Sequence, residues 1–420
     1  MVDYRAHNPK DGGSSPSPAT NYMTQSKTFC IAPFVGLQVN ANGTLLPCCE
    51  FDHQASGFGE IPTFRDYDRW QSVDMSRLRQ DLINGIKSPG CHKCWAREDI
   101  DSHKEVKVVD SQRMNLNGIF QDYINSDFDS TRIESPRSVT VMFGNFCNLR
   151  CIQCSASCSS SHQTEQLIHK PRFKNLRVYT VDENAEKKWW KTNDFTNFLS
   201  KINQHIDHVF LHGGEPLITP EAIGFLNSIP NPENVIMTLT TNATSLTDEV
   251  YDLLARFKEL SVTVSLEGIG AHNDYLRYGS DWTTVRDNIF RLQQLKNLSF
   301  GMVGVNHVLQ HTSRLALLPL LEFCDTHNIM LRVGNLRDAD HLNVNGMTVE
   351  QHQQFLTDLL QAREKYKKNF MISKAVVYSL NFLSTYQYDA EANEKFYKYV
   401  NLIDSIRGVN YVDIFGELDK

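Results

Sequence analysis

The chain has no apolar run approaching the roughly 20 residues that span a membrane. Its N-terminus lacks the basic-then-apolar order of an export signal, so a cytoplasmic protein is expected. Positive charge is not in excess: 42 Lys and Arg against 49 Asp and Glu leave a formal net charge of −7, which argues against general attraction to nucleic acid or membrane surfaces. With 41% hydrophobic residues in 420, the chain can still bury a large core, and its length suggests two or three domains.

Cysteine, by contrast, is present ten times, and without an export signal the thiols read as metal ligands rather than disulfides. A reducing compartment follows. Cys147, Cys151 and Cys154 stand in GNFCNLRCIQC, directly after the strand-like run SVTVMF. The C-x3-C-x2-C spacing supplies three thiolates on one tight loop, one fewer than normally hold an iron-sulfur cluster, and so leaves one iron open. An open iron can bind and reduce an outside ligand, which makes the loop a candidate catalytic element. A zinc knuckle completed by a distant His or Cys is the competing reading of this spacing.

Downstream, β-rich runs end repeatedly in small or polar residues. VFLHGGEPL puts Gly213, Gly214 and Glu215 at a strand end, where missing side chains let a ligand approach the backbone. MTLTTNAT carries Asn242, and SVTVSLEG carries Ser265 and Glu267. Strand-like segments at 138–143, 207–212, 235–241, 260–266, 301–309 and 330–335 alternate with helix-like ones, the order of a parallel sheet with right-handed crossovers. In DFTNFLSKINQHI, the spacing of Phe195, Phe198, Leu199, Ile202 and Ile206 marks one buried helix face, with Asp194 as its expected N-cap. The expected fold class is therefore α/β: a partial (β/α)6 TIM-like barrel, with its active site at the C-terminal strand ends, where all four motifs fall.

These motifs, in this order over about 136–340, resemble those of the radical S-adenosylmethionine (SAM) enzymes. The resemblance implies that Cys147, Cys151 and Cys154 hold a SAM-binding 4Fe-4S cluster, and that Gly213, Gly214 and Glu215 form the GGE motif that binds the methionyl amine. It also implies that the strand with Asn242 meets the ribose, that Ser265 and Arg277 lie near the methionyl carboxylate, and that Glu267 belongs to the same cofactor site. Gln153 stands where the family often has an aromatic residue over the adenine, so the backbone from Val303 to Val305 is expected to share that contact with it. The implied chemistry is reductive cleavage of SAM to a 5'-deoxyadenosyl radical that abstracts a substrate hydrogen, with electrons from a donor such as flavodoxin or ferredoxin.

Ahead of the barrel, residues 1–27 are rich in Pro, Gly and Ser and read as a flexible tail. FCIAPFVGLQVNANGTLLPCCEF then reads as a hairpin that brings Cys30 near Cys48, and SPGCHKCWARED adds Cys91 and Cys94. Four thiols with no position left over describe a closed site, and structural zinc satisfies that spacing as well as iron. The pattern resembles the SPASM auxiliary-cluster module in its shortened twitch form, which implies one auxiliary 4Fe-4S cluster, here placed before the barrel instead of after it. Cys49 competes with Cys48, which is preferred because it fits the G-x4-C count. The domains expected are thus a tail at 1–27, the cluster module at 28–100, a linker at 101–135, the barrel at 136–340 and a helical subdomain at 341–420, opened by a T-x-x-Q capping signal at Thr348.

SPASM and twitch modules are common in enzymes that modify peptides, so the resemblance favours a peptide or protein substrate for crosslinking, epimerisation or oxidation. Oxidation of a small molecule such as a sugar, alcohol or nucleotide is the alternative. RNA modification rests on the basic and aromatic segment HKPRFKNLR at 169–177, and a non-catalytic iron-sulfur carrier is a fourth reading. Cys158, just beyond the cluster loop, is a candidate hydrogen-atom donor, although small-residue packing or a free thiol would equally account for it.

Overall fold

The computed structural model describes residues 27–102, 111–126, 128–130, 135–182, 188–336 and 339–416. Residues 1–26 of the expected tail and 103–110 of the expected linker lie outside the described residues.

Among the described residues ten strands form: β1 Gly36–Val39, β2 Leu45–Leu46, β3 Ser138–Val141, β4 Arg150–Cys151, β5 His208–Leu211, β6 Ile236–Thr241, β7 Glu259–Ser265, β8 Arg277–Tyr278, β9 Gly304–Leu309 and β10 Met330–Asn335. Six of them, β3, β5, β6, β7, β9 and β10, lie side by side in chain order and pair in parallel. Helices such as Pro220–Ser228, Asp248–Ala255 and Ser313–Thr326 fill the crossovers. This is the partial (β/α)6 barrel expected from the alternating runs. Apolar side chains such as Met237, Leu239, Leu260, Val262 and Val264 are buried along the central strands. His208, at the start of β5, ties three strands together, with Ser138 Oγ 2.8 Å from its Nδ1 and Thr238 Oγ1 2.9 Å from its Nε2.

Three details depart from the sequence reading. The helix Asn193–Ile202 is capped by Thr192, whose side chain accepts from Phe195 N, while Asp194 lies within the first turn. The expected strand 301–309 starts only at Gly304, because a 3-10 turn at Ser299–Gly301 puts Phe300 at φ 55° and Gly301 at φ 64°. The hairpin is shorter than its apolar runs, since Ala32–Val35 is helical with Pro33 at its start. Its strands extend the barrel's own sheet, with β1 next to β3.

The chain divides into two units: 1–36, 47–60 and 68–135 in one, 37–46, 61–67 and 136–420 in the other. The hairpin strands thus count with the barrel, while Cys30 and Cys48 on either side of them count with the smaller unit. In that unit, Gln112–Ile119 and Gln121–Ser126 are helical. The C-terminal part is helical as expected, with Val349–Lys365 opened by a capping box between Thr348 and Gln351.

Candidate active site

The cysteine loop joins β3 to β4 and is shaped by the hydroxyls that follow it. Ser159 Oγ caps the helix Ser160–Ile168, accepting from His162 N at 3.1 Å, and donates to Leu149 O at 2.6 Å. Ser160 Oγ accepts from Cys147 N at 3.2 Å, and Ser161 Oγ donates to Cys147 O at 2.7 Å. Cys147 and Cys151 are buried together with Leu149, and Cys154 packs against them. Sequence reasoning passed over these three serines, although a hydroxyl run directly before a helical pattern is an N-cap signal.

Gly214 brings the end of β5 onto this loop. A Cβ there would stand 2.3 Å from the Phe146 carbonyl oxygen, which no side chain tolerates. Glu215 N donates to that same oxygen at 2.7 Å, and the preceding Gly213 turns at φ 87°. The Glu215 carboxylate is buried and accepts from Leu217 N at 3.1 Å, Thr241 Oγ1 at 2.7 Å and Asn242 N at 2.6 Å. Burial raises its pKa against the pull of those donors. Asn242 Nδ2 donates to Asn148 Oδ1 at 3.0 Å and lies 4.0 Å from Cys147 Sγ. The cysteine loop, β5 and β6 are thereby joined through one carboxylate.

Glu267, after β7, makes the second junction. Its Oε1 accepts from Gln153 Nε2 at 2.7 Å and lies 3.6 Å from Arg277 Nη1, and its Oε2 accepts from Val308 N at 3.0 Å. Burial lifts the carboxyl to about 7 despite Arg277. Arg277 stands opposite Cys151 in the antiparallel β4–β8 pair. Burial disfavours its charge, but the neighbouring thiols and Glu267 more than restore it. Burial likewise raises Cys147 to about 11 and lifts Cys151 and Cys154, while Arg277 draws all three down toward the thiolate form a metal needs.

The remaining candidates fall less centrally. Ser265 closes β7 opposite Asn306. Val305 is the second residue of β9, buried and in register with Val264; further along β9, Val308 N donates to Glu267 Oε2 and His307 Nδ1 lies 3.4 Å from the same oxygen. Cys158 is half-buried, 3.8 Å from Ser157 Oγ, and its charge is felt at Cys154.

The second thiol set lies in the smaller unit. Asp52 N donates to Gly90 O at 2.8 Å, and a Cβ on Gly90 would stand 2.5 Å from the Phe51 ring, so glycine lets the Cys91 loop close on the segment after Cys48. Burial raises Cys30 and Cys48 strongly, Cys91 to about 12, and Cys94 as well. Three of the four also feel neighbouring thiols: Cys30 is raised by Cys91 and Cys94, Cys48 by Cys49, Cys30 and Cys94, and Cys91 by Cys94. Arg113 opposes this at Cys30 and Cys91, and its own guanidinium pairs with Glu98 at 2.6 Å.

Both donor sets fit iron-sulfur clusters in residue chemistry: free thiols gathered in buried sites, each beside an arginine. Among the described residues, no three His, Cys, Asp or Glu side chains stand in a geometry that would hold a single ion. A cubane does not require one, because each thiolate takes a different iron.

Residues 141–312 match the family model described as the Radical SAM superfamily. The chain carries a radical SAM domain, an enzyme core that works with a 4Fe-4S cluster and SAM. No curated protein sequence matches the chain. Among solved structures, Streptococcus suis SuiB bound to precursor peptide SuiA is similar at 16% identity over 78% of this chain and 69% of SuiB, with a TM-score of 0.35. Native anSMEcpe with bound AdoMet is similar at 15% identity over 56% of this chain and 62% of anSMEcpe, with a TM-score of 0.40. Likeness of this degree carries no argument about substrate or reaction. No helix among the described residues is long and apolar enough to cross a membrane.

Proposed function

We propose that this radical SAM enzyme acts on a peptide or protein, in the cytoplasm, and that Cys30, Cys48, Cys91 and Cys94 hold an auxiliary 4Fe-4S cluster. The observation that carries the cofactor reading is the pair of buried carboxylate junctions, Glu215 and Glu267 with Arg277, that fasten the cysteine trio to the C-terminal ends of β5, β6 and β7. Cys147, Cys151 and Cys154 would ligate three irons. A bound cluster would supply the one-electron reductive cleavage of SAM and, through it, hydrogen abstraction from substrate. Arg277 offsets thiolate charge, Gly213 and Gly214 expose backbone to the cofactor, and Glu215 and Asn242 fix the approach of its amine and ribose. Gln153 orients Glu267 where an aromatic residue was the usual expectation.

Support for a peptide substrate comes from the second set of four thiols and from the resemblance to twitch modules. Oxidation of a small molecule shares the same cofactor chemistry and is the second reading. RNA modification is a further reading with less behind it: in the segment at 169–177 Phe173 is buried, Lys170 and Lys174 lie over the Tyr179 ring, and Arg172 donates to Ser405.

Anaerobically reconstituted, reduced protein given SAM is expected to release 5'-deoxyadenosine, and Cys151→Ala to abolish that release. No release from fully loaded wild-type protein would favour an electron carrier. Peptides encoded beside its gene, added one at a time, are expected to change in mass when the substrate is among them.

A further inference from the structure

We infer that the helix Ala390–Arg407, outside the segment that matches the family, is part of the cluster site: Tyr399 and Arg407 position the cysteine loop and set the charge beside it. The inference rests on the cluster reading proposed above. The loop is held at Ile152, directly after Cys151, from both sides. Ile152 N donates to Leu276 O at 2.9 Å, and Tyr399 Oη donates to Ile152 O at 3.1 Å. The Ile152 side chain is buried in the same cluster as Phe396, Tyr399 and Ile403.

Arg150, next to Cys151, is tied to the same helix through a shared carboxylate. Its Nη1 donates to Glu165 Oε1 at 3.1 Å, while Arg407 binds both oxygens of Glu165, Nε at 3.1 Å and Nη2 at 2.8 Å. The two guanidiniums lie over one Tyr278 ring, at 4.6 and 4.9 Å, and Tyr278 Oη donates to Arg407 O at 3.0 Å. Tyr278 is in turn the β8 partner of Arg150. His162, nearby, is held neutral by burial, its pKa near 4, and on the same helix as Arg407, Asp404 accepts from Tyr275 Oη at 2.7 Å and from Tyr411 N at 2.8 Å.

Two arginines against one glutamate leave one positive charge in the triad, with the Arg407 and Glu165 side chains 1% and 2% exposed. A buried triad of this kind is a weak source of stability, because desolvation offsets the attraction, so apolar residues would hold the helix as well. What apolar residues cannot supply is the charge. Through the shared Glu165 carboxylate, Arg407 stands behind Arg150, the residue before Cys151, so its buried positive charge lies against the cysteine loop and favours negative charge there. A cluster gains one negative charge on reduction, and net charge nearby is one of the terms that sets its potential. Arg407 therefore makes the cluster easier to reduce, and Glu165 opposes it.

The test is a redox titration of the full chain, following the reduced-cluster EPR signal that shifts on adding SAM. Arg407→Met is expected to weaken reduction about tenfold, ~59 mV more negative for a one-electron couple. Glu165→Gln is expected to shift it the opposite way, and Arg407→Lys to return most of the wild-type value. Tyr399→Phe is expected to keep the potential but to lose iron to a chelator several-fold faster. A merely structural role would lower melting temperatures without opposite shifts. Unmoved potentials in the folded Arg407 and Glu165 variants would overturn the charge role, and an unchanged chelation rate in Tyr399→Phe the positioning role. Should the Arg407 variants fail to fold, Glu165→Gln and Tyr399→Phe decide. Wild-type protein that takes up no iron on Cys147, Cys151 and Cys154 would instead overturn the reading beneath.

Discussion

At Gly214 there is little tolerance for change, since the atom a Cβ would meet is a backbone oxygen of the cysteine loop and no rotamer change relieves it. Gly214→Ala is expected to destabilise by about 1–3 kcal/mol, as overpacked sites do, and to cut the iron retained after anaerobic reconstitution by more than half. Thermal melts and iron counts check both. Gln153→Leu leaves Glu267 Oε1 without its neutral donor. Leaving one buried acceptor without its hydrogen bond is expected to cost roughly 1–3 kcal/mol, again read from melting. The trio, the glycine pair and Glu215 were legible in the sequence because each falls within a few residues of its motif. The bond from Gln153 to Glu267 was not, because it spans 114 positions and no local pattern announces it.

Among the elements, the helix Ser160–Ile168 has the most direct hold on the loop. Ser159→Ala removes its cap and the bond to Leu149 O together, with an expected loss of about 1–2 kcal/mol and weaker iron retention. The six parallel strands and the capping box at Thr348 could be read from pattern, since apolar runs and cap residues are local signals. The cap at Thr192 was misjudged by two positions because Thr and Asp both suit that role, and only the backbone decides which residue stands outside the first turn. The sheet that takes up the β1–β2 hairpin was not legible either. Edge strands choose partners by what lies beside them in the fold, and alternation along one strand carries no record of that choice.

For the molecule as a whole, acid is the expected weakness. Burial holds His208 and His162 neutral, each with a pKa near 4 instead of 6.5. Their folded values are depressed, so the unfolded chain takes up protons first. The stability they contribute is complete above pH 6.5, declines as pH falls toward 4 and is gone below it. For His208 alone the loss is of order 3 kcal/mol. Melting temperature against pH should therefore fall below pH 6.5, less steeply in His208→Gln. Iron counts test the two-cluster claim at the same scale: about eight irons per chain are expected for two cubanes, and about half remain in Cys91→Ser/Cys94→Ser. The hairpin adds a consequence for biogenesis. During synthesis β1 leaves the ribosome about a hundred residues before its neighbour β3, so that, although β2 pairs with one of its edges, the edge that faces β3 stays unpaired until then. Fragments ending before Ser138 should consequently aggregate through that bare edge, and a chaperone that shields nascent strands should raise the yield of the full chain.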